Sequence, residues 1–181
     1  MLSCLNRIVS AVQRRIVEPN LFRTISTTGR NRMAANHEAD EVALKRLGIK
    51  DPKQVTEQQW KEVLQPEVYN VTREAGTEPT GGHYDKFFSK GRYVCICCGA
   101  ELFSSESKYW SGCGWPAFSK SVDEDFNIIR IRDNAYGMER TEVRCKQCNA
   151  HLGHVFDDGP VETGERYCIN SVSMKFEPFS E

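Results

Sequence analysis

Tyr93-Val94-Cys95-Ile96-Cys97-Cys98-Gly99-Ala100 and Arg144-Cys145-Lys146-Gln147-Cys148-Asn149-Ala150-His151 carry one pattern twice, with 46 residues between Cys98 and Cys145. In each, two cysteines are separated by two residues and followed by a small or turn-forming residue. That spacing lets both thiolates of a pair face one tetrahedral ion at about 2.3 Å, and two pairs complete a closed Cys4 site. Cys95, Cys98, Cys145 and Cys148 are therefore the expected ligands of one structural Zn2+. Four thiolates leave no coordination position open, so the ion is expected to stabilise the fold and take no part in chemistry. Redox dithiols, or iron in the same geometry, are the alternatives. Cys97 lies inside the first pair, and its side chain is expected to point away from the metal.

The chain around the two pairs reads as strands. Segments 127–132, 139–144 and 166–176 are short, β-branched or aromatic, and separated by Gly, Asp and Asn. No long helical periodicity follows residue 93, so the body is expected to be mainly β and antiparallel. Upstream, residues 37–75 read as short helices. Glu41, Val42, Leu44, Leu47 and Ile49 form an amphipathic stretch. Thr56 and Gln59 have capping-box spacing, and Trp60, Val63 and Leu64 form an apolar stripe before Pro66, which is expected to stop the helix. Residues 76–92, rich in Gly, Thr and Pro, read as an ordered loop. Asn70-Val71-Thr72 matches a glycosylation sequon and is read as chance, because no secretory signal precedes it.

The formal net charge of −1 on 181 residues hides an asymmetry. Residues 1–36 hold six arginines (7, 14, 15, 23, 30 and 32) against Glu18, a balance of +5. Residues 37–181 hold 18 basic and 24 acidic side chains, a balance of −6. The first segment, rich in Arg, Ser and Thr with interspersed apolar residues, has the composition of a mitochondrial transit peptide; a disordered arm is the alternative. Residues 1–36 are thus expected to be a targeting segment and 37–181 the functional domain. A start at Met33 would give a cytosolic form. The acidic body argues against nucleic-acid binding. No charge-free apolar run approaches the ~18 residues of a membrane span.

Cys113 and Cys168 stand apart from the paired cysteines and from Cys4 in the basic segment. On a strand, Arg166, Cys168 and Asn170 share one face, continued by Val172, Met174 and Phe176. A cationic Arg beside a Cys lowers the thiol pKa and raises the reactive thiolate fraction. A buried, inert Cys in a core strand is the competing reading. Cys113 lies between Gly112 and Gly114, and Trp115 offers an aromatic wall two residues on. A mobile, exposed Cys suits the resolution of a sulfenic acid; the bland reading is a tight turn with an incidental thiol. His151 and His154 are read as hydrogen-bonding or proton-transfer groups, with Asp157 and Asp158 available to orient an imidazole.

Ser111-Gly112-Cys113-Gly114-Trp115-Pro116-Ala117-Phe118, the run from His151 to Pro160, the run from Arg166 to Ser171 and the two Cys pairs together resemble methionine sulfoxide reductases of the B type. The resemblance covers residues 55–179. It implies two antiparallel sheets in a β-tent-like arrangement, and as substrate the R epimer of methionine sulfoxide, free or in proteins. It implies Cys168 as nucleophile, Cys113 as resolving Cys, and Trp115 as the wall for the substrate's methyl group. His151, His154, Asp158 and Asn170 resemble the polar groups around the sulfoxide, and Arg166 a residue that favours the thiolate. The loop Thr77–Tyr84 departs from the family, which often has a Phe before the Gly.

The implied cycle runs from Cys168 attack, with His151 or His154 as acid, through a Cys168 sulfenic acid to a Cys113–Cys168 disulfide. Thioredoxin or a similar dithiol reductant reopens it. A monomer is expected. The competing classes are a zinc-ribbon module for nucleic acid or protein and a non-catalytic, zinc-stapled ligand- or protein-binding module. Residues 93–150 carry seven Lys or Arg and eight Asp or Glu, with no basic stripe for the former. A binding module has no need of a reactive Cys168 with Cys113 as partner.

Overall fold

A computed structural model describes residues 41–134 and 137–180. The basic segment, including Cys4 and Met33, lies outside the described residues. Three short helices come first: α1 (Ala43–Leu47), α2 (Glu57–Val63) and α3 (Pro66–Glu74). Two donors at the start of α1 have no partner within their own helix, as is general for a helix N-terminus. The Ala43 and Leu44 amides donate instead to the Ile96 and Cys97 carbonyls at 3.0 and 2.8 Å, inside the first Cys pair. Thr56 and Gln59 form the expected capping box at the start of α2. Pro66 both follows the end of α2 and opens α3 at its first position, where a missing N–H costs nothing. The expected single stop is therefore also a start.

Nine strands follow among the described residues, all paired antiparallel. They are β1 (Gly91–Cys95), β2 (Glu101–Ser104), β3 (Lys108–Tyr109), β4 (Ala117–Phe118), β5 (Ile128–Asp133), β6 (Arg140–Cys145), β7 (His151–Phe156), β8 (Arg166–Ile169) and β9 (Met174–Pro178). One sheet has the order β2-β1-β9 and the other β3-β4-β8-β7-β6-β5. The protein is thus mainly β, with two antiparallel sheets. Among the described residues, no helix is long and apolar enough to cross a membrane.

The single strand expected over 166–176 does not form. Backbone pairing ends at Ile169, a 3-10 turn spans Ser171–Ser173, and Met174 enters the other sheet. The face shared by Arg166 and Cys168 therefore ends there, and the continuation through Val172, Met174 and Phe176 is lost. Alternation of small buried and half-buried residues cannot distinguish a continued strand from one broken by a single turn.

The core explains which strand faces turn inward. Tyr93, Phe103, Phe118 and Tyr167 are almost fully buried. Phe103 stacks on Phe118 at 4.4 Å, and Tyr93 and Tyr167 meet that pair edge-on at 5.0 and 5.4 Å. Each such ring contributes about 1.5–3 kcal/mol by leaving water. Because side chains alternate along a strand, Tyr167 and Ile169 facing the core put Arg166 and Cys168 on the other face of the six-stranded sheet. Gly153 on β7 allows close approach to that strand. A Cβ there would lie 2.1 Å from the Cys168 carbonyl oxygen.

Candidate active site and metal centre

The two Cys pairs fold into matching knuckles. In each, the amide of the first Cys donates to the carbonyl five residues on (Cys95 to Ala100, Cys145 to Ala150), and the residue after the second Cys donates back to the first. All four bonds are 2.8 Å long. Gly99 and Asn149 close the turns in the left-handed region, at φ 81° and 61°. Those are residue types that tolerate it. The knuckles bring four sulfurs together: Cys95 to Cys148 and Cys98 to Cys145 are each 3.6 Å apart. All four lie within 4.8 Å of one another. A tetrahedral ion with bonds of about 2.3 Å needs ligand sulfurs about 3.8 Å apart, so the donor set fits a metal ion. Cys97 is outside this set. Its buried sulfur abuts Thr72 of α3 as well as Cys95 and Cys148. Arg73, one residue on, donates to the Cys148 carbonyl at 2.8 Å and is held by Glu57.

Register builds a second site on the outer face of the large sheet. Tyr109 pairs with Ala117, Ala117 with Cys168, Cys168 with His154, and His154 with Glu142. Five strands thus set these residues in one transverse row. Opposed residues in an antiparallel pair share a face, so Cys168 lies with His154 on one side and Ala117, then Tyr109, on the other. The loop between β3 and β4 folds back so that Cys113 Sγ is 3.6 Å from Cys168 Sγ.

A cleft of about 510 Å³ opens beside Cys113. Its wall includes Tyr109, Trp110, Cys113, Asp158 and Arg166. Arg166 donates to both carboxylate oxygens of Asp158, each at 2.8 Å. Burial pushes the Cys168 thiol up to about 12, with the neighbouring Cys113 adding to the rise and Arg166 opposing it. Burial also opposes ionisation of Cys113, but its hydrogen bonding with Ser111, with the Trp115 backbone and with Cys168 outweighs it and holds that thiol below its usual value. Arg166 thus lowers the Cys168 pKa, as expected from the sequence, but burial outweighs it and the thiol ends above its usual value. Arg166 is shared with Asp158.

The histidines are both fixed by carboxylates. His151 Nδ1 lies 2.6 Å from Glu142 Oε1, which also accepts from Arg144. Its Nε2 is buried without a hydrogen-bond partner among the described residues, and burial pushes the imidazole pKa down. His154 Nε2 lies 2.9 Å from Asp133 Oδ2, and the two rings meet edge-on at 5.5 Å. Of the two, His154 is the one opposite Cys168. Asn170 is 3% exposed, and both ends of its amide are engaged: Oδ1 accepts from the Glu78 amide and Nδ2 donates to the Leu152 carbonyl. Trp115 donates its indole N–H to the Glu78 carbonyl at 3.1 Å.

A SelR domain profile matches residues 64–178 of the chain. The chain belongs to the SelR domain family. It is 62% identical over 141 residues to a probable methionine-R-sulfoxide reductase B of Caenorhabditis elegans, covering 76% of this chain and 93% of that one. To a peptide methionine sulfoxide reductase of Pseudomonas syringae pv. syringae it is 53% identical over 131 residues, covering 72% and 99%. To rat methionine-R-sulfoxide reductase B2, mitochondrial, it is 52% identical over 137 residues, covering 72% and 79%. By these names the family is one of oxidoreductases.

Two residues of the SelR domain's site carry no signal in spacing or composition. Glu78, 4% exposed, accepts from the Ser171 and Val172 amides at 2.6 and 3.0 Å, while its own backbone holds Asn170 and Trp115. The loop Thr77–Tyr84 is thus pinned to the turn after Cys168. Tyr109 enters the cleft wall only through strand register. The unequal thiols of the SelR domain give a direct expectation. Alkylation of the reduced protein by iodoacetamide at neutral pH, read by peptide mass spectrometry, labels Cys113 first. Cys168 labelling rises with pH as its thiolate fraction grows toward pH about 12. Preferential labelling of Cys168 at pH 7 contradicts this assignment.

Proposed function

We propose that the protein reduces methionine-R-sulfoxide, in proteins and as the free amino acid, to methionine. The observation that carries this reading is the 3.6 Å contact of Cys113 and Cys168 beside a cleft, in a chain of the SelR domain family. The names of its relatives supply the substrate class. Cys168 attacks the sulfoxide sulfur as the thiolate, its proton having been released to solvent. The sulfoxide oxygen is transferred to Cys168 as a sulfenic acid and takes up one proton, so that methionine leaves as the neutral thioether. His154, opposite Cys168, is better placed than His151 to supply that proton, a role worth about 10²–10⁴-fold. The Arg166–Asp158 pair in the cleft wall, with Trp115 oriented by Glu78, selects the substrate. Asn170 acts by holding β7, β8 and the Glu78 loop together.

Condensation of the sulfenic acid with the Cys113 thiol forms one S–S bond and releases water. A dithiol protein of the thioredoxin kind then reopens it by exchange, becoming a disulfide itself. Every group in the cycle comes from one copy of the chain, in accord with a monomer. Cys168→Ser is expected to abolish single-turnover reduction of a chiral R-sulfoxide. Cys113→Ser is expected to retain one turnover and lose thioredoxin-dependent cycling. Retained activity in the first variant, or normal cycling in the second, rejects the respective role.

The four-sulfur site fits Zn2+ best, because its closed thiolate set offers the ion no open position. Residues Cys95, Cys98, Cys145 and Cys148 would hold it and gain stability from it. Elemental analysis of purified protein is expected to find about one zinc per chain, lost in Cys145→Ser together with a fall in unfolding midpoint. A fully folded, metal-free wild type would falsify this role. The arginine-rich N-terminal segment supports delivery to mitochondria, with a cytosolic product from Met33. N-terminal sequencing of the mature protein from isolated mitochondria is expected to find residues 1–32 removed. An intact Met1 there would overturn that reading.

A further inference from the structure

We propose that Tyr109 is a catalytic residue of this site: its phenolic hydroxyl donates a hydrogen bond to the sulfoxide oxygen while the Cys168 sulfur attacks. This rests on the reductase reading above and adds a group to it.

Position comes first. Tyr109 is two strands from Cys168 in the transverse row, with Ala117 between them. Neighbouring strands are about 4.8 Å apart, so the two backbones are separated by roughly 10 Å. Alanine is a single methyl group at the intervening position and leaves the space above it to longer side chains. A tyrosine side chain is long enough to extend its oxygen over that methyl toward the sulfurs. The ring lines the same cleft as Cys113, Asp158 and Arg166.

Chemistry comes second. The Tyr109 hydroxyl oxygen is buried and has no hydrogen-bond partner among the described residues. A buried hydroxyl without a partner is destabilising, and such groups in native proteins have a reason to be there. The charges that act on it are those of the reaction: Arg166, Asp158, Cys113 and Cys168. Burial pushes the phenol up, so it keeps its proton at neutral pH and serves as a donor. A sulfoxide oxygen accepts hydrogen bonds, and it gains negative charge as a sulfur nucleophile attacks. A fixed donor aimed at developing charge accelerates a reaction because its bond strengthens in the transition state. The phenol keeps its own proton throughout; the proton that ends on the sulfenic oxygen comes from the imidazole. His154 and Tyr109 then serve opposite sides of Cys168, one transferring a proton and one donating a hydrogen bond.

The test is single-turnover reduction of N-acetyl-methionine-(R)-sulfoxide by the pre-reduced full chain, comparing wild type with Tyr109→Phe. The variant removes one unpartnered oxygen, so its unfolding midpoint is expected to be at least that of wild type. Its rate constant at saturating substrate is expected to fall about 10²-fold, as for loss of one preorganised donor. The half-saturating concentration is expected to change by less than about threefold, which separates a transition-state role from ordinary binding. The rate ratio is expected to stay constant between about pH 6 and 9, because the phenol does not titrate there. A variant within about twofold of an active wild type overturns the role of Tyr109 and leaves the reductase reading standing. A wild type that does not turn over this substrate overturns both.

Discussion

Four sulfurs join the two sheets at one corner. Cys95 ends β1 of the three-stranded sheet, and Cys145 ends β6 of the six-stranded sheet. The turns that follow supply Cys98 and Cys148. The helices depend on the same corner: α1 donates to carbonyls of the first knuckle, and Arg73 of α3 donates to a carbonyl of the second. Thr72 lies against the buried Cys97 sulfur. Removing charge compensation from four clustered thiolates would therefore loosen the helices as well as the sheets.

A second clamp lies at the end of β8. The chain must leave the large sheet after Ile169 and enter the small one at Met174. Glu78 satisfies the amides exposed by that turn, and Asn170 returns hydrogen bonds to the Glu78 loop and to β7. The carboxyl is buried, and burial pushes its pKa up; the Ser171 and Val172 amides oppose that rise. The strand bearing Cys168 is therefore fixed at its end, while Cys113 approaches on a loop between two glycines with positive φ. A fixed sulfur and a loop-borne sulfur suit an exchange in which one partner must later face another protein.

Much of this was legible in the residues. The two Cys pairs carry their knuckle geometry in four or five residues each, because ligand spacing and turn chemistry are local. The capping box at Thr56 and the placing of Cys168 on a strand are local as well. What escaped a linear reading is what depends on chain segments meeting. Pro66 both ends and begins a helix, since its chemistry suits the first position of α3 as well as it terminates α2. The break between β8 and β9 is invisible in an alternating pattern. The Cys168 thiol is raised, because burial in the assembled sheet outweighs the pull of Arg166 two residues away. Glu78 and Tyr109 lie 90 and 59 residues before Cys168, and no spacing rule connects them.

The transverse row has a consequence for how this chain can vary. Its members come from five strands, two of them only two residues long. Side chains alternate faces with every residue. One residue added to or removed from β4 would turn Ala117 toward the core and Phe118 toward the cleft, exchanging a methyl for a ring beside Cys168. The intervening loops can change length without that penalty. Insertions and deletions in this family should therefore be confined between the strands, and the site's chemistry is protected by parity as much as by residue identity.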